Sequence, residues 1–164
     1  MRTRLTDQNC SVAQALDVLS DPWTLLIVRE AFTGTRRFAD FERHLPVSKN
    51  VLTTRLKRLV DEEILETQDA GQYGRRLEYL LTPKGKDLAI VLTALREWGD
   101  RWILGEGHEP LVVLDRRTGR RVPRLRIRDE NGEPLHGRDM VIVPGPGADV
   151  SLLRRAEEDD PDRE

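Results

Sequence analysis

The sequence predicts an α+β fold that is mainly helical, with a small β ribbon, a long closing helix and a small β-rich C-terminal appendage. Three observations predict it. Apolar residues recur at steps of three and four through most of the first hundred positions. That pattern breaks once, around residues 65–81, where two short strand-like runs flank turn-forming residues. The composition then changes at Gly105-Glu106-Gly107, a linker-like tripeptide followed by an Arg-, Pro- and Gly-rich stretch.

The elements follow in order. Ser11 reads as the cap of a first helix, with Gln14 as its capping-box partner and Val12, Ala15, Leu16 and Leu19 as its apolar stripe. Asp21-Pro22 starts a second helix, because Asp suits the cap and Pro the first helical position. Its residues Leu25, Leu26, Ile27 and Val28 make it apolar on most sides, as a buried helix is. Gly34 ends it. A short third helix carries Phe38, Phe41 and Leu45 and stops at Pro46. Ser48 caps a fourth, with Leu52, Leu56, Leu59 and Val60 inward and an expected end at Ile64. Leu65–Gln68 and Leu77–Leu81 are the two strands, and Thr82-Pro83 starts a fifth helix that reaches about Trp102. The expected division is a helical domain over 10–104, an appendage over 108–147 and an acidic tail over 148–164.

Composition narrows the function. The 164 residues are 38% hydrophobic and 34% charged, enough apolar content for a compact core. The net charge of −2 gives no global nucleic-acid signature, so any such case rests on local patches. No apolar run is long enough to span a membrane, and neither a membrane partner nor a secretory leader is expected. One cysteine, Cys10, rules out an internal disulfide framework and favours a reduced cytoplasmic setting. With one Cys and three scattered His, no metal or cofactor site is expected. No nucleophile triad, phosphate loop or dinucleotide fingerprint is visible, so an enzyme is not expected.

A local patch does exist. Positions 43–60 hold Arg43, Lys49, Arg55, Lys57 and Arg58 and no acid. At 100° per residue, Leu52, Leu56, Leu59 and Val60 share one side of the fourth helix, and Asn50, Thr54, Lys57 and Arg58 lie opposite. Three short helices, a ribbon and a further helix give the order of a winged helix-turn-helix. In that arrangement the second helix of the third–fourth pair enters the major groove of DNA. Asn reads adenine, Thr meets a thymine methyl, and Lys or Arg pairs guanine or phosphate. The amides near Ser48 and Lys49 can hold a phosphate. Tyr73, Arg75 and Arg76 would make a basic wing tip. The plainer alternative is a solvated basic helix face; helix order, acid-free window and basic wing together favour double-stranded DNA. The expected DNA-contacting residues are Arg37, Ser48, Lys49, Asn50, Thr53, Thr54, Lys57, Arg58, Arg75 and Arg76. A winged helix that binds protein instead would show an apolar or acidic outer face.

The runs Cys10-Ser11-Val12, Leu16–Ile27, Arg37–Phe41 and Leu45–Leu56 together resemble the HxlR-type regulators, a branch of winged-helix transcription factors akin to the MarR group. Arg76–Tyr79 and Leu81–Leu88 extend the resemblance, which covers about residues 10–102. It implies a homodimeric bacterial DNA-binding regulator. The family often has Gly at the places of Ser20 and Asp21, and two prolines at the places of Gly74 and Arg75. The resemblance also implies that Cys10 corresponds to a cysteine through which some relatives sense oxidants or electrophiles. A thiol beside a helix N-terminus is the more reactive for it; the alternative is a small residue packed near a subunit contact.

Two features stay open at this level. Leu88, Val91, Leu92, Leu95, Trp98 and Trp102 form one stripe on the fifth helix, read as a homodimer contact or as packing within its own domain. In the appendage, Leu111–Leu114, Arg124–Arg128 and Asp139–Val143 read as strands, with Asn131-Gly132 as a hairpin turn. Its stretch Gly132–Leu135 resembles a zinc-knuckle-like extension of some relatives, but Arg128 and Asn131 stand where cysteines are expected, so no metal is predicted. Seven arginines between 116 and 128 read as a solvated or internally paired face, an anion site or a DNA-flank contact.

Overall fold

The computed structural model describes residues 7–71 and 77–152. It contains helices α1 (Ser11–Leu19), α2 (Pro22–Phe32), α3 (Phe38–His44) and α4 (Lys49–Asp61), strands β1 (Leu65–Asp69) and β2 (Leu77–Leu81), and helix α5 (Pro83–Gly99). A π-helical turn, Asp100–Leu104, continues α5 to Gly105, whose φ of 92° ends the helical path.

The caps are those the sequence encodes. The Asp21 carboxylate accepts from the Trp23 amide at 3.0 Å, and Pro22 opens α2 without wasting a donor. Ser48 Oγ accepts from the Val51 amide at 3.4 Å, and Thr82 Oγ1 from the Gly85 amide at 3.0 Å. At α1 the expectation is corrected. The helix begins at Ser11, so Cys10 takes the cap position, with its carbonyl accepting from the Gln14 amide at 3.0 Å. The Gln14 side chain donates back to the Gln8 carbonyl at 3.0 Å.

One cluster forms the core: Ile27 and Val28 of α2, Phe41 and Leu45 around α3, Leu52, Leu56 and Leu59 of α4, and Ile64 and Leu65 entering β1. Each such side chain contributes about 1.5–3 kcal/mol by leaving water. β1 and β2 pair antiparallel, Leu65 opposite Leu81 and Asp69 opposite Leu77. Arg37 bridges Glu78, and the Tyr79 amide donates to the Arg36 carbonyl at 2.8 Å, so the segment before α3 lies along β2. The Tyr79 ring meets Phe41 edge-on, centroids 6.3 Å apart.

α4 stops at Asp61, three residues before the expected end at Ile64. Glu63 adopts φ 57°, and the Glu63 and Ile64 amides donate to the Val60 and Leu59 carbonyls, which closes the helix with a left-handed residue. The start of α5 then clasps this end. Thr82 Oγ1 donates to the Glu63 carbonyl at 2.6 Å and Lys84 Nζ to the Glu62 carbonyl at 2.7 Å. Gly85 makes the approach possible, since a Cβ there would collide with the Ile64 carbonyl and crowd Leu81.

The described residues fall into two compact units, one within residues 18–124 and one joining residues 7–17 with 125–152. The strands expected over 111–114, 124–128 and 139–143 do not form. Their alternation provides faces but no adequate pairing partner. Only single bridges occur, Leu114 with Arg121 and Arg128 with Pro134. The Asn131-Gly132 turn does form, with Gly132 at φ 85°, and a second turn closes where the Asp115 amide donates to the Arg120 carbonyl at 2.8 Å.

Candidate nucleic-acid interface

α4 presents two opposite surfaces. Leu52, Leu56 and Leu59 are at most 2% exposed. Ser48, Lys49, Asn50, Thr53, Thr54 and Lys57 are all exposed. Ser48 uses its hydroxyl on the Val51 amide, which leaves the first-turn amides facing outward as anion donors. Lys49 Nζ lies 5.9 Å from the centre of the Phe38 ring, a cation–π contact that holds the lysine beside the α3–α4 turn.

The threonines carry a restriction that sequence reasoning missed. Thr53 Oγ1 donates to the Lys49 carbonyl at 2.8 Å and Thr54 Oγ1 to the Asn50 carbonyl at 2.9 Å. Both hydroxyl protons are thereby spent on the helix itself. What remains to each is acceptor capacity and a methyl group, a chemistry suited to the amino groups of adenine or cytosine and to the thymine methyl.

The basic residues divide into groups with different duties. Lys57 is exposed, and Arg58 is half-buried. Arg37 is held by Glu78 at 3.1 Å and Arg43 by Asp40 at 2.6 Å. Arg55 turns inward, with Nη2 2.7 Å from Asp21 Oδ2, and its buried Nε has no partner among the described residues. Asp21 thus caps α2 and anchors the middle of α4 with one carboxylate. The two residues are 34 positions apart, so no local pattern signals the pair. Tyr73, Arg75 and Arg76 lie outside the described residues.

The stripe on α5 also divides. Leu88 and Leu92 pack on the core. Val91, Leu95, Trp98 and Trp102 are 40%, 50%, 59% and 65% exposed. On α1, Ala13 is the buried residue, and Val12 and Leu16 of the apolar stripe stand open. Cys10 is exposed too, and lines a cleft of about 670 Å³ with Gln8, Asn9, Ile142 and Val143. Asn9 closes one side of it, donating to the Gly147 carbonyl at 3.1 Å and accepting from the Asp149 amide at 3.2 Å. Among the described residues, no helix is long and apolar enough to cross a membrane.

A three-helix unit with a two-stranded ribbon behind a capped, cationic helix defines a winged helix-turn-helix protein of the DNA-binding, transcription-regulating class. Residues 18–106 match the HxlR-like helix-turn-helix family, and the chain belongs to it. It is 35% identical over 143 residues to the uncharacterized HTH-type transcriptional regulators Mb3122 of Mycobacterium bovis and Rv3095 of Mycobacterium tuberculosis, covering 87% of this chain and 90% of each relative. The crystal structure of PA1607 superposes with a TM-score of 0.80 at 36% identity, over 87% of this chain and all of that one. The redox regulator HypR in its reduced form gives 0.52 at 28% identity, over 55% of this chain and 90% of its own.

Proposed function

We propose that the protein is a cytoplasmic, homodimeric, sequence-specific DNA-binding regulator that acts by occupying a roughly palindromic operator. The observation that carries this reading is the outer face of α4, exposed at Ser48, Lys49, Asn50, Thr53, Thr54 and Lys57 and free of acid until Asp61. In this reading those residues, with Arg58, Arg75 and Arg76, meet the duplex, and Arg37 supports the wing from its pair with Glu78. Residues 10–104 form the DNA-binding and dimerisation domain, 108–147 an appendage and 148–164 an acidic tail. The open part of the α5 stripe pairs with a second copy, because four large apolar side chains in water are costly and a twofold contact covers both sets at once. Two α4 helices then sit about 34 Å apart, one turn of DNA.

A small-molecule or oxidant input belongs to the same proposal, with Cys10 as the residue an oxidant attacks. Its exposure and its place at the start of α1 support this, as does the likeness to a protein known as a redox regulator. Replacing Cys10 by Ser removes the oxidant response, and an unchanged response excludes it as the sensor.

A gel-shift titration against the chain's own upstream DNA tests the reading. Binding must weaken steeply as salt rises, since each neutralised phosphate releases counterions. Asn50→Ala relaxes preference at one base position by about 1–3 kcal/mol. Salt-independent binding, or an Asn50→Ala variant with unaltered preference, overturns the assignment.

A further inference from the structure

We propose that residues 140–144 are an edge strand that pairs antiparallel with the same segment of a second copy of this chain, on a twofold axis at Ile142. The segment belongs to the unit that joins residues 7–17 with 125–152, so this surface is separate from the stripe on α5. The strand expected over 139–143 does not form within the chain. A second copy supplies the ladder that the chain itself does not offer it.

Among the described residues of this unit, Ala13 is the one buried apolar side chain, while nine large apolar ones stand at least 38% exposed. The run Val141, Ile142 and Val143 stands furthest out, at 83%, 99% and 68%. Ile142 and Val143 line one cleft with Ser11 and Gln14, so the run adjoins the start of α1, where Val12 and Leu16 are open too. Across the nine, the open fraction equals more than five whole side chains. At about 60–120 Å² each, that is on the order of 300–700 Å² of apolar surface. A standard interface takes about 800 Å² from each partner, of which a little over half is apolar. The open surface of this unit therefore matches what one stable self-contact needs.

Backbone donors fix the register. Met140 is extended, at φ −114° and ψ 138°, and the β-branched residues after it suit the same conformation. Among the described residues, the amides and carbonyls of Val141, Ile142 and Val143 make no hydrogen bond. The Met140 amide already donates to the Gly137 carbonyl at 3.3 Å, and Pro144 has no amide to give. In an antiparallel ladder alternate residues exchange bonds. Pairing Val141 with the partner's Val143, and Val143 with the partner's Val141, uses only free groups and asks nothing of Pro144. Ile142 then faces its own copy in a non-hydrogen-bonded pair. The run reads Val-Ile-Val in both directions, so the twofold axis sets matching β-branched side chains opposite one another, as an isologous contact requires. Both ends of the run are held. Ahead of it, the His136 amide donates to Asp139 at 2.9 Å; behind it, Asn9 bonds the Gly147 carbonyl and the Asp149 amide. A foreign strand would satisfy the same backbone but would gain nothing from the palindrome.

The test uses the full chain carrying Cys10→Ser, which removes the native thiol. Ile142→Cys on that background should form an intermolecular disulfide readily under mild oxidation. A non-hydrogen-bonded pair brings its Cα atoms to about 4.5 Å, inside the range a disulfide spans. Val141→Cys alone and Val143→Cys alone should crosslink about tenfold more slowly, because each faces a valine. An equal mixture of those two should crosslink as a heterodimer, read by mass spectrometry, faster than either alone. In sedimentation, Ile142→Asp should weaken self-association by about tenfold or more. At 99% exposure this substitution leaves the single chain folded, which circular dichroism checks. The pairing is overturned if Ile142→Cys stays monomeric under oxidation, or if Val141→Cys or Val143→Cys alone crosslinks as fast. It is equally overturned if Ile142→Asp associates like the parent. A thiol at position 142 that resists alkylation yet never crosslinks would assign the edge to another partner and reject the twofold pair. Trp98→Ala reads the α5 contact separately, so the failure of one contact does not mimic the failure of the other.

Discussion

α4 and α5 are both amphipathic, both capped by a hydroxyl residue, and both contribute to one compact unit, yet their apolar faces meet opposite fates. On α4, Leu52, Leu56 and Leu59 are sealed against Ile27, Val28 and Phe41. On α5 only Leu88 and Leu92 reach that core, and beyond them Leu95, Trp98 and Trp102 face water in the single chain. The difference separates two kinds of stability. α4 is held by contacts that exist at any concentration. The far end of α5 exposes apolar area that the described residues of its own unit leave open, so in the proposed homodimer its contribution depends on concentration.

Two substitutions pull the helices apart experimentally. Leu56→Ala removes a side chain that is 1% exposed and should cost about 2–5 kcal/mol, the same at every protein concentration, as read by urea unfolding. Trp98→Ala should cost the dimer about 2–4 kcal/mol and the isolated unit little, because Trp98 is 59% exposed. Sedimentation would show this variant dissociating at concentrations where the parent is associated. If Trp98→Ala lowers stability as much at high dilution as at high concentration, the stripe serves its own subunit and the contrast between the helices disappears.

The same contrast marks what the sequence can reveal. The starts of α2, α4 and α5 were legible because Asp21-Pro22, Ser48 and Thr82-Pro83 act locally, on amides two or three residues away. The polar face of α4 was legible because helical periodicity fixes which side chains oppose the leucines. The end of α4 was not, because Glu63 adopts a left-handed conformation usually left to Gly or Asn. The stripe of α1 was legible as a face, but periodicity identifies a face and not its covering, and Val12 and Leu16 stand open while Leu19 packs on the core. The appendage was misjudged for a related reason. Arg124–Arg128 alternates, but alternation forms a strand only where a second strand offers a matching ladder, and here one bridge is all that pairs.

Long-range pairing was the other blind spot, and Asp21 sharpens the comparison between cap and anchor. Asn caps a helix about as well as Asp, so Asp21→Asn keeps the α2 cap and removes the charge that Arg55 faces at 2.7 Å. Both side chains are about one-quarter exposed, so solvent screens part of the loss. The expected cost is about 1–2 kcal/mol in urea unfolding, with DNA affinity falling further as α4 loses its lateral anchor. A variant as stable as the parent would mean that the pair is a surface contact without structural weight.

The smallest effect tests where α4 ends. Glu63 holds φ 57° without the permissiveness of glycine, and the clasp from Thr82 and Lys84 keeps it there through the Glu63 and Glu62 carbonyls. Those two bonds use backbone oxygens, so Glu63→Gly leaves both intact and removes only the steric cost of a Cβ in the left-handed region. Against it stands the extra entropy of a glycine in the unfolded chain. The balance should favour the variant by about 0.5–1 kcal/mol, while Glu63→Val, β-branched at the same φ, should be destabilised by more than that. Matched urea curves for the two decide it. Equal stability of both would show that α4 is not closed by a left-handed residue, and the clasp would then have no fixed carbonyl to hold.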